Sequence, residues 1–155
     1  PGGRAREEPC RAPSARRLPA ADALPILKAL LTSHDDVHDP DIPLLIWWAI
    51  EAKAESDRHP VLSFFEDPRV WDAPTVKEVN LKRIMQRYRM AGGSANFAAC
   101  ARLLALAPTK QAGNVLVSGL QEGLRGRDVN ALPPALVRLL EPYHEQFAGG
   151  ALGIA

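Results

Sequence analysis

The sequence has 155 residues, 46% of them hydrophobic and 24% charged, with a formal net charge of +1. These are ordinary globular values, and a net charge this small excludes a strong global field toward nucleic acid or an anionic membrane. Two cysteines, Cys10 and Cys100, stand far apart and form neither CxxC nor CxxCH, which excludes cysteine-pair zinc motifs and covalent haem attachment.

Residues 1–20 are rich in Arg, Pro and Ala and hold one large aliphatic residue, Leu18. Such a segment cannot offset its ordering entropy by burial, so it reads as disordered. It has no apolar stretch of the kind a signal peptide needs. From Asp22 the pattern turns helical. Asp22 is placed to N-cap a helix carrying Leu24, Leu27, Leu30 and Leu31, with Pro25 in its first turn. A polar loop follows, and Asp39 or Asp41 is expected to cap the next helix, with Pro40 or Pro43 opening it. That helix is apolar from Leu44 to Ile50 and gains polar residues only at Glu51, Lys53 and Glu55. With no wet face it belongs at the centre of a fold, which predicts that Trp47 and Trp48 are both buried. Ile42 to Ile50 is also the longest apolar run, too short for the roughly 20 residues a bilayer span needs.

His59 to Phe65 reads as a short helix, and Asp67-Pro68 and Ala73-Pro74 punctuate the chain. Pro74 opens a long helix to about Met90, on which Leu81, Ile84, Met85 and Tyr88 recur at i, i+3, i+4, i+7 and define a buried stripe. Gly92-Gly93 ends it. Ser94 is expected to cap the next helix, with Phe97, Cys100, Ala101 and Leu104 as its stripe. Pro108 separates it from a helix carrying Val115, Leu116, Leu120 and Leu124, which Gly126 closes. Pro133-Pro134 starts the last helix, and Pro142 kinks or ends it. No segment alternates with period two, and no Asn-Gly or Asp-Gly hairpin turn occurs, so the fold class is all-α. Helix pairs begin near Ala23, His59, Ala95 and Pro133, an interval of roughly 36–38 residues that lies in the range of helical-hairpin repeats. A HEAT-like α-solenoid and a compact orthogonal bundle both fit. The organisation read from this pattern is a disordered segment 1–20, a helical-repeat domain 21–148 and a flexible Gly/Ala tail 149–155. The start at Pro1 and the tail Gly149-Gly150-Ala151-Leu152-Gly153 are what an internal fragment of a longer protein would have.

Few residues carry chemistry. His34-Asp35-Asp36-Val37-His38-Asp39 combines imidazole and carboxylate, which suit zinc or another first-row metal, and His34 and His38 would share a face if helical. An HExxH glutamate is missing, and a solvated loop whose aspartates cap the following helix explains the same residues. Lys77, Lys82, Arg83, Arg87 and Arg89 make one helix basic, but Lys82 and Arg89 lie on different sides of it and Glu78 dilutes the charge, so a solvated face is expected, not a phosphate-binding one. Cys100 lies on an apolar stripe and reads as an inert buried thiol. Ser63, Ser94 and Ser118 have no GxSxG setting, and no glycine-rich phosphate loop is present. The chain is expected to be non-catalytic, with no catalytic, cofactor-binding or metal residues of its own.

The run Asp39-Pro40-Asp41-Ile42-Pro43-Leu44-Leu45-Ile46-Trp47-Trp48-Ala49-Ile50-Glu51 resembles the helical, HEAT-like region of the large PVC-type haem-binding CxxCH proteins, also called membrane-bound dehydrogenase-like proteins. Phe65-Glu66-Asp67-Pro68-Arg69-Val70-Trp71, Arg83-Ile84-Met85-Gln86-Arg87-Tyr88, Cys100-Ala101-Arg102-Leu103-Leu104 and Leu132-Pro133-Pro134 agree in order, so the resemblance covers about Asp22 to Leu140. In that family a sugar-dehydrogenase-like propeller precedes the helices and a c-type cytochrome domain follows. This chain has no CxxCH and no propeller strands, so haem and dehydrogenase residues do not carry over. The resemblance implies a spacer or scaffold between an oxidising domain and an electron acceptor, with other domains of the same chain as partners, in the cell envelope. The competing readings are a free-standing protein-interaction solenoid and, last, a metal-dependent enzyme using the His34–Asp41 loop. None calls for nucleic acid or direct membrane insertion.

Overall fold

The computed structural model describes residues 15–32, 39–124 and 132–148. Every regular element among them is helical and none is a strand, so the fold is all-α. The chain divides into two compact units, one running to Asn80 and the other beginning at Leu81. The single helical-repeat domain expected over 21–148 therefore spans two units.

In the first unit, α1 (Ala20–Thr32) buries Ala20, Ala23, Leu24, Leu27 and Leu31, the stripe that helical periodicity requires. The helix begins two residues before Asp22. The Asp22 and Ala23 N–H groups donate to the Pro19 carbonyl, so Asp22 sits inside the first turn instead of capping it. Its charge still complements the positive end of the helix. The segment expected to be unfolded through residue 20 is part of this unit from Ala15 onward. Ala15 is fully buried, and the buried Lys53 amine donates to the Arg16 carbonyl at 3.1 Å. Residues 1–14, and the tail 149–155, lie outside the described residues.

Next, α2 (Ile42–Glu51) buries Ile46, Trp47, Ala49 and Ile50, and α3 (Arg58–Phe64) buries Val61 and Phe64. A short α4 (Pro68–Asp72) was read in the sequence only as punctuation, yet its start carries a strong signal. The Asp67 side chain accepts from the Arg69 N–H, and Pro68 occupies the first turn. The Trp71 indole N–H donates to the Phe65 carbonyl, and the Phe65 ring meets Phe64 and Trp71 edge-on at 5.3 and 5.9 Å. These aromatics and Val70 lie beneath α1, which packs on α3 and α4. The helix expected from Pro74 to Met90 forms, but its stretch Val76–Asn80 is a π turn.

The second unit starts with α5 (Leu81–Ala91), whose buried face holds Leu81, Ile84, Met85 and Tyr88, as the period predicts. Gly92, at φ +67°, ends it, a conformation that suits glycine. The next helix, α6 (Gly93–Leu106), starts two residues earlier than a Ser94 cap allows: Gly92 is the cap, and the Asn96 amide donates back to the Gly92 carbonyl at 2.7 Å. Its buried face is Asn96, Ala99, Cys100, Leu103 and Leu104, which moves the core stripe off Phe97 and Ala101. Then come α7 (Lys110–Leu124), α8 (Pro134–Leu140), a 3-10 turn Glu141–Tyr143 containing Pro142, and α9 (His144–Ala148). Gly126, expected to close α7, lies outside the described residues.

The pairing differs from a simple succession of hairpins. The chief partner of α7 is α5, not its neighbour α6. The cause lies in Gly119 and Gly123. A Cβ at Gly119 would run into the Lys82 carbonyl, and one at Gly123 would stand 2.9 Å from Arg89 Cγ. Hydrogen in place of a side chain lets the two helix backbones approach closely.

Candidate functional site

A helix places successive side chains about 100° apart, and on α2 this separates the adjacent tryptophans. Trp47 is 5% exposed, whereas Trp48 is 44% exposed. The expectation that both indoles are buried is thus correct for Trp47 and wrong for Trp48. The apolar sequence hid a solvent-facing strip. Leu44 and Leu45, one turn before Trp48, are half-buried, and Ala52, one turn after it, is exposed. Trp48, Leu18 and Met90 are the exposed large hydrophobic residues among those described. Of these, Trp48 is the one with half-buried leucines one helical turn away.

Asp41, two turns before Trp48, is exposed at the cap of α2; Glu51 is the last residue of the helix and Glu55 lies in the turns that follow it. The expected cap takes a different form. Asp41 occupies the cap position without a side-chain bond, and it is Asp39 Oδ1 that accepts, from the Asp41 N–H at 2.9 Å. The aspartate bond closes a turn just ahead of the helix and not within its first turn. Positions 33–38, with His34, Asp35, Asp36 and His38, lie outside the described residues.

The first unit also contains a cleft of about 390 Å³. Leu30, Ile42, Ile46 and Val79 supply apolar walls, and Asp72 and Glu78 stand at its polar side. Nearby, Asp67 ties α1 to α4: its carboxylate pairs with Lys28 at 3.1 Å and Arg69 at 2.8 Å. The Arg69 side-chain and backbone donors, then Lys28, hold the Asp67 carboxyl well below the usual carboxylate range. On the π turn, Asn80 is fully buried and neither atom of its amide meets a protein hydrogen-bond partner. In the sequence Asp67 stands out only as part of a break in the helical pattern. Asp67-Pro68 was the available signal for it, and no sequence signal marks Asn80.

Lys77, Lys82 and Arg89 of the basic run each have a partner. Lys77 pairs with Asp72 at 3.8 Å and Lys82 with Glu122. Arg89 is 4% exposed, with its guanidinium 5.3 Å from the centre of the Phe97 ring. Cys100 is free and buried, and burial pushes its thiol up to about 12, against the opposing pull of the Arg89 charge. A thiol so rarely ionised is a poor nucleophile. No described group of three His, Cys, Asp or Glu residues is arranged to hold a metal ion, and no described helix is long and apolar enough to cross a membrane. Comparisons with protein families, with curated proteins and with solved structures find no match to this chain.

Proposed function

We propose that this chain is a non-catalytic helical scaffold that works by holding protein surfaces together. The observation that carries the reading is the exposed Trp48, set among half-buried leucines on a helix whose other face is buried. Tryptophan is costly to leave in water and is enriched where proteins meet. The resemblance to the helical region of PVC-type CxxCH proteins supplies the context of the proposal: a spacer between a propeller and a cytochrome domain in the cell envelope. The residues that carry the resemblance include the core positions Trp47, Trp71, Tyr88 and Leu103. The second reading, a free-standing interaction solenoid, draws on the same Trp48 face.

The coding sequence around this segment separates the two readings. A propeller encoded upstream and a CxxCH downstream are expected for the spacer. A reading frame with neither contradicts the redox context and leaves the interaction module. The scaffold role itself is tested by Trp48→Ala in the complete protein. Loss of an inter-domain or inter-protein contact, with the melting temperature of the helices kept, is the expected result. An unchanged assembly contradicts it.

A further inference from the structure

In the second unit, the stretch that follows α8 is attached unlike the helices before it. The last helix with a core face, α8, buries Leu136 and Leu140, each 1% exposed. Burial stops right after Leu140. Glu141, Pro142, His144 and Glu145 are exposed, and Tyr143 and Gln146 are half-buried. Pro142 has no N–H to donate, and the α-helix gives way there to the 3-10 turn. None of these six residues is buried, so they lack the apolar burial that ties a segment into a cooperative core. Their seat on α7 is of another kind. The Tyr143 phenol lies on Gly113, where a Cβ would collide with it. The Gln146 side-chain amide donates to the Asn114 carbonyl at 3.0 Å, and the Gln121 amide donates to the Gln146 carbonyl at 3.3 Å. Against these two bonds stands one stranded group. Gln146 Oε1 is shut off from solvent and accepts from no protein donor, a cost that opening to water removes.

We infer that residues 141–146 form a strap that closes on α7 and opens on its own, swinging out after Leu140 while the helices of the second unit stay folded. The inference is independent of the scaffold reading. Leu140 is fixed in the core and Pro142 breaks the hydrogen-bond ladder two residues later, so the backbone can change direction there without disturbing α8. The seat is a fit of shape: glycine at position 113 leaves the room that the Tyr143 ring occupies. Opening exchanges two amide bonds for bonds to water, a small net change. It also hydrates Gln146 Oε1 and uncovers Gly113 and Asn114 on α7. Gly113 is therefore the control point. Filling its notch releases the strap without touching the α5–α7 contact, which runs through Gly119 and Gly123.

The test is hydrogen exchange on the whole chain, read by mass spectrometry, with Gly113→Ala and Tyr143→Ala as variants. In the parent protein the amides of residues 141–146 are expected to exchange about 100-fold faster than those of α5 and α6, yet slower than in an unfolded chain. Gly113→Ala should bring them about tenfold closer to the unfolded rate. Alanine is the better helix former, so α5 and α6 should keep their protection and the melting temperature should hold. Tyr143→Ala approaches the same seat from the strap side, without crowding α7, and should give the same release. Exchange of residues 141–146 at the rate of α5 would overturn the inference, because the segment would then open only with the whole unit. Loss of protection throughout the second unit in both variants would overturn it too, since the seat would then belong to the core. Unchanged strap exchange in both variants would show that Tyr143 on Gly113 holds nothing.

Discussion

Adjacent residues on one helix can have unrelated roles, and Trp47 and Trp48 make the difference measurable. Trp47 is 5% exposed, so Trp47→Ala removes a buried indole and should cost about 3–5 kcal/mol. Trp48 keeps 44% of its surface in water, so Trp48→Ala forfeits only part of that burial and should cost about 1–2 kcal/mol. Chemical denaturation of the two variants would establish the ordering, and equal losses would contradict it. Cys100 gives a second residue-level prediction. Its thiol is buried and pushed up to about 12, so in a Cys10→Ser background a disulfide reagent at pH 8 should label it only as fast as the protein opens. Denaturant should accelerate the labelling sharply. Rapid stoichiometric labelling of the native protein would place Cys100 at a reactive site.

The elements differ in how much of their packing the sequence disclosed. The stripe Leu81, Ile84, Met85 and Tyr88 was legible because α5 has one buried face and strict helical spacing. The start of α8 was legible from Pro133-Pro134. By contrast, α4 is too short for periodicity to register, and α2 misled because a strip of Leu and Trp looks the same whether it faces a core or a partner. The α5–α7 contact was hidden because its determinants are absent side chains, at Gly119 and Gly123. Gly119→Ala tests that contact with opposing signs. Helix propensity alone would stabilise the variant by about 1 kcal/mol, but the Cβ meets the Lys82 carbonyl, so a net destabilisation of about 1–3 kcal/mol is expected from overpacking. A rise in melting temperature would contradict the close approach. Asp67 at the start of α4 gives a pH signature. Its folded-state pKa is depressed by Arg69 and Lys28, so its contribution is present above the ordinary carboxylate value of about 4 and is lost as pH falls below it. Asp67→Asn keeps a capping side chain but no charge. It should melt below the parent protein at pH 7, and the gap should close on acidification; a gap constant with pH would rule out the ion-pair contribution.

At the scale of the whole molecule, the all-helical class was legible, whereas the division at Asn80 was not, because a continuous helical pattern runs through Pro74 to Met90. A π turn occupies the residues just before the division, and its buried Asn80 amide has no protein partner. Such π turns are rare, and where they occur inside α-helices they are frequently at functional positions. The division also coincides with a change of charge: the sequence has a net charge of −4 through Asn80 and +5 from Leu81, which the overall +1 conceals. The central claim is that α2 presents Trp48 to a protein surface while Trp47 and Trp71 remain in the core. Fluorine NMR of the chain labelled with 5-fluorotryptophan tests it most directly, because each of the three indoles gives its own resonance. Only the Trp48 resonance should shift between H₂O and D₂O, while those of Trp47 and Trp71 stay fixed. A Trp48 resonance that is insensitive to solvent, or that stays fixed while Trp47 or Trp71 moves, would contradict the claim.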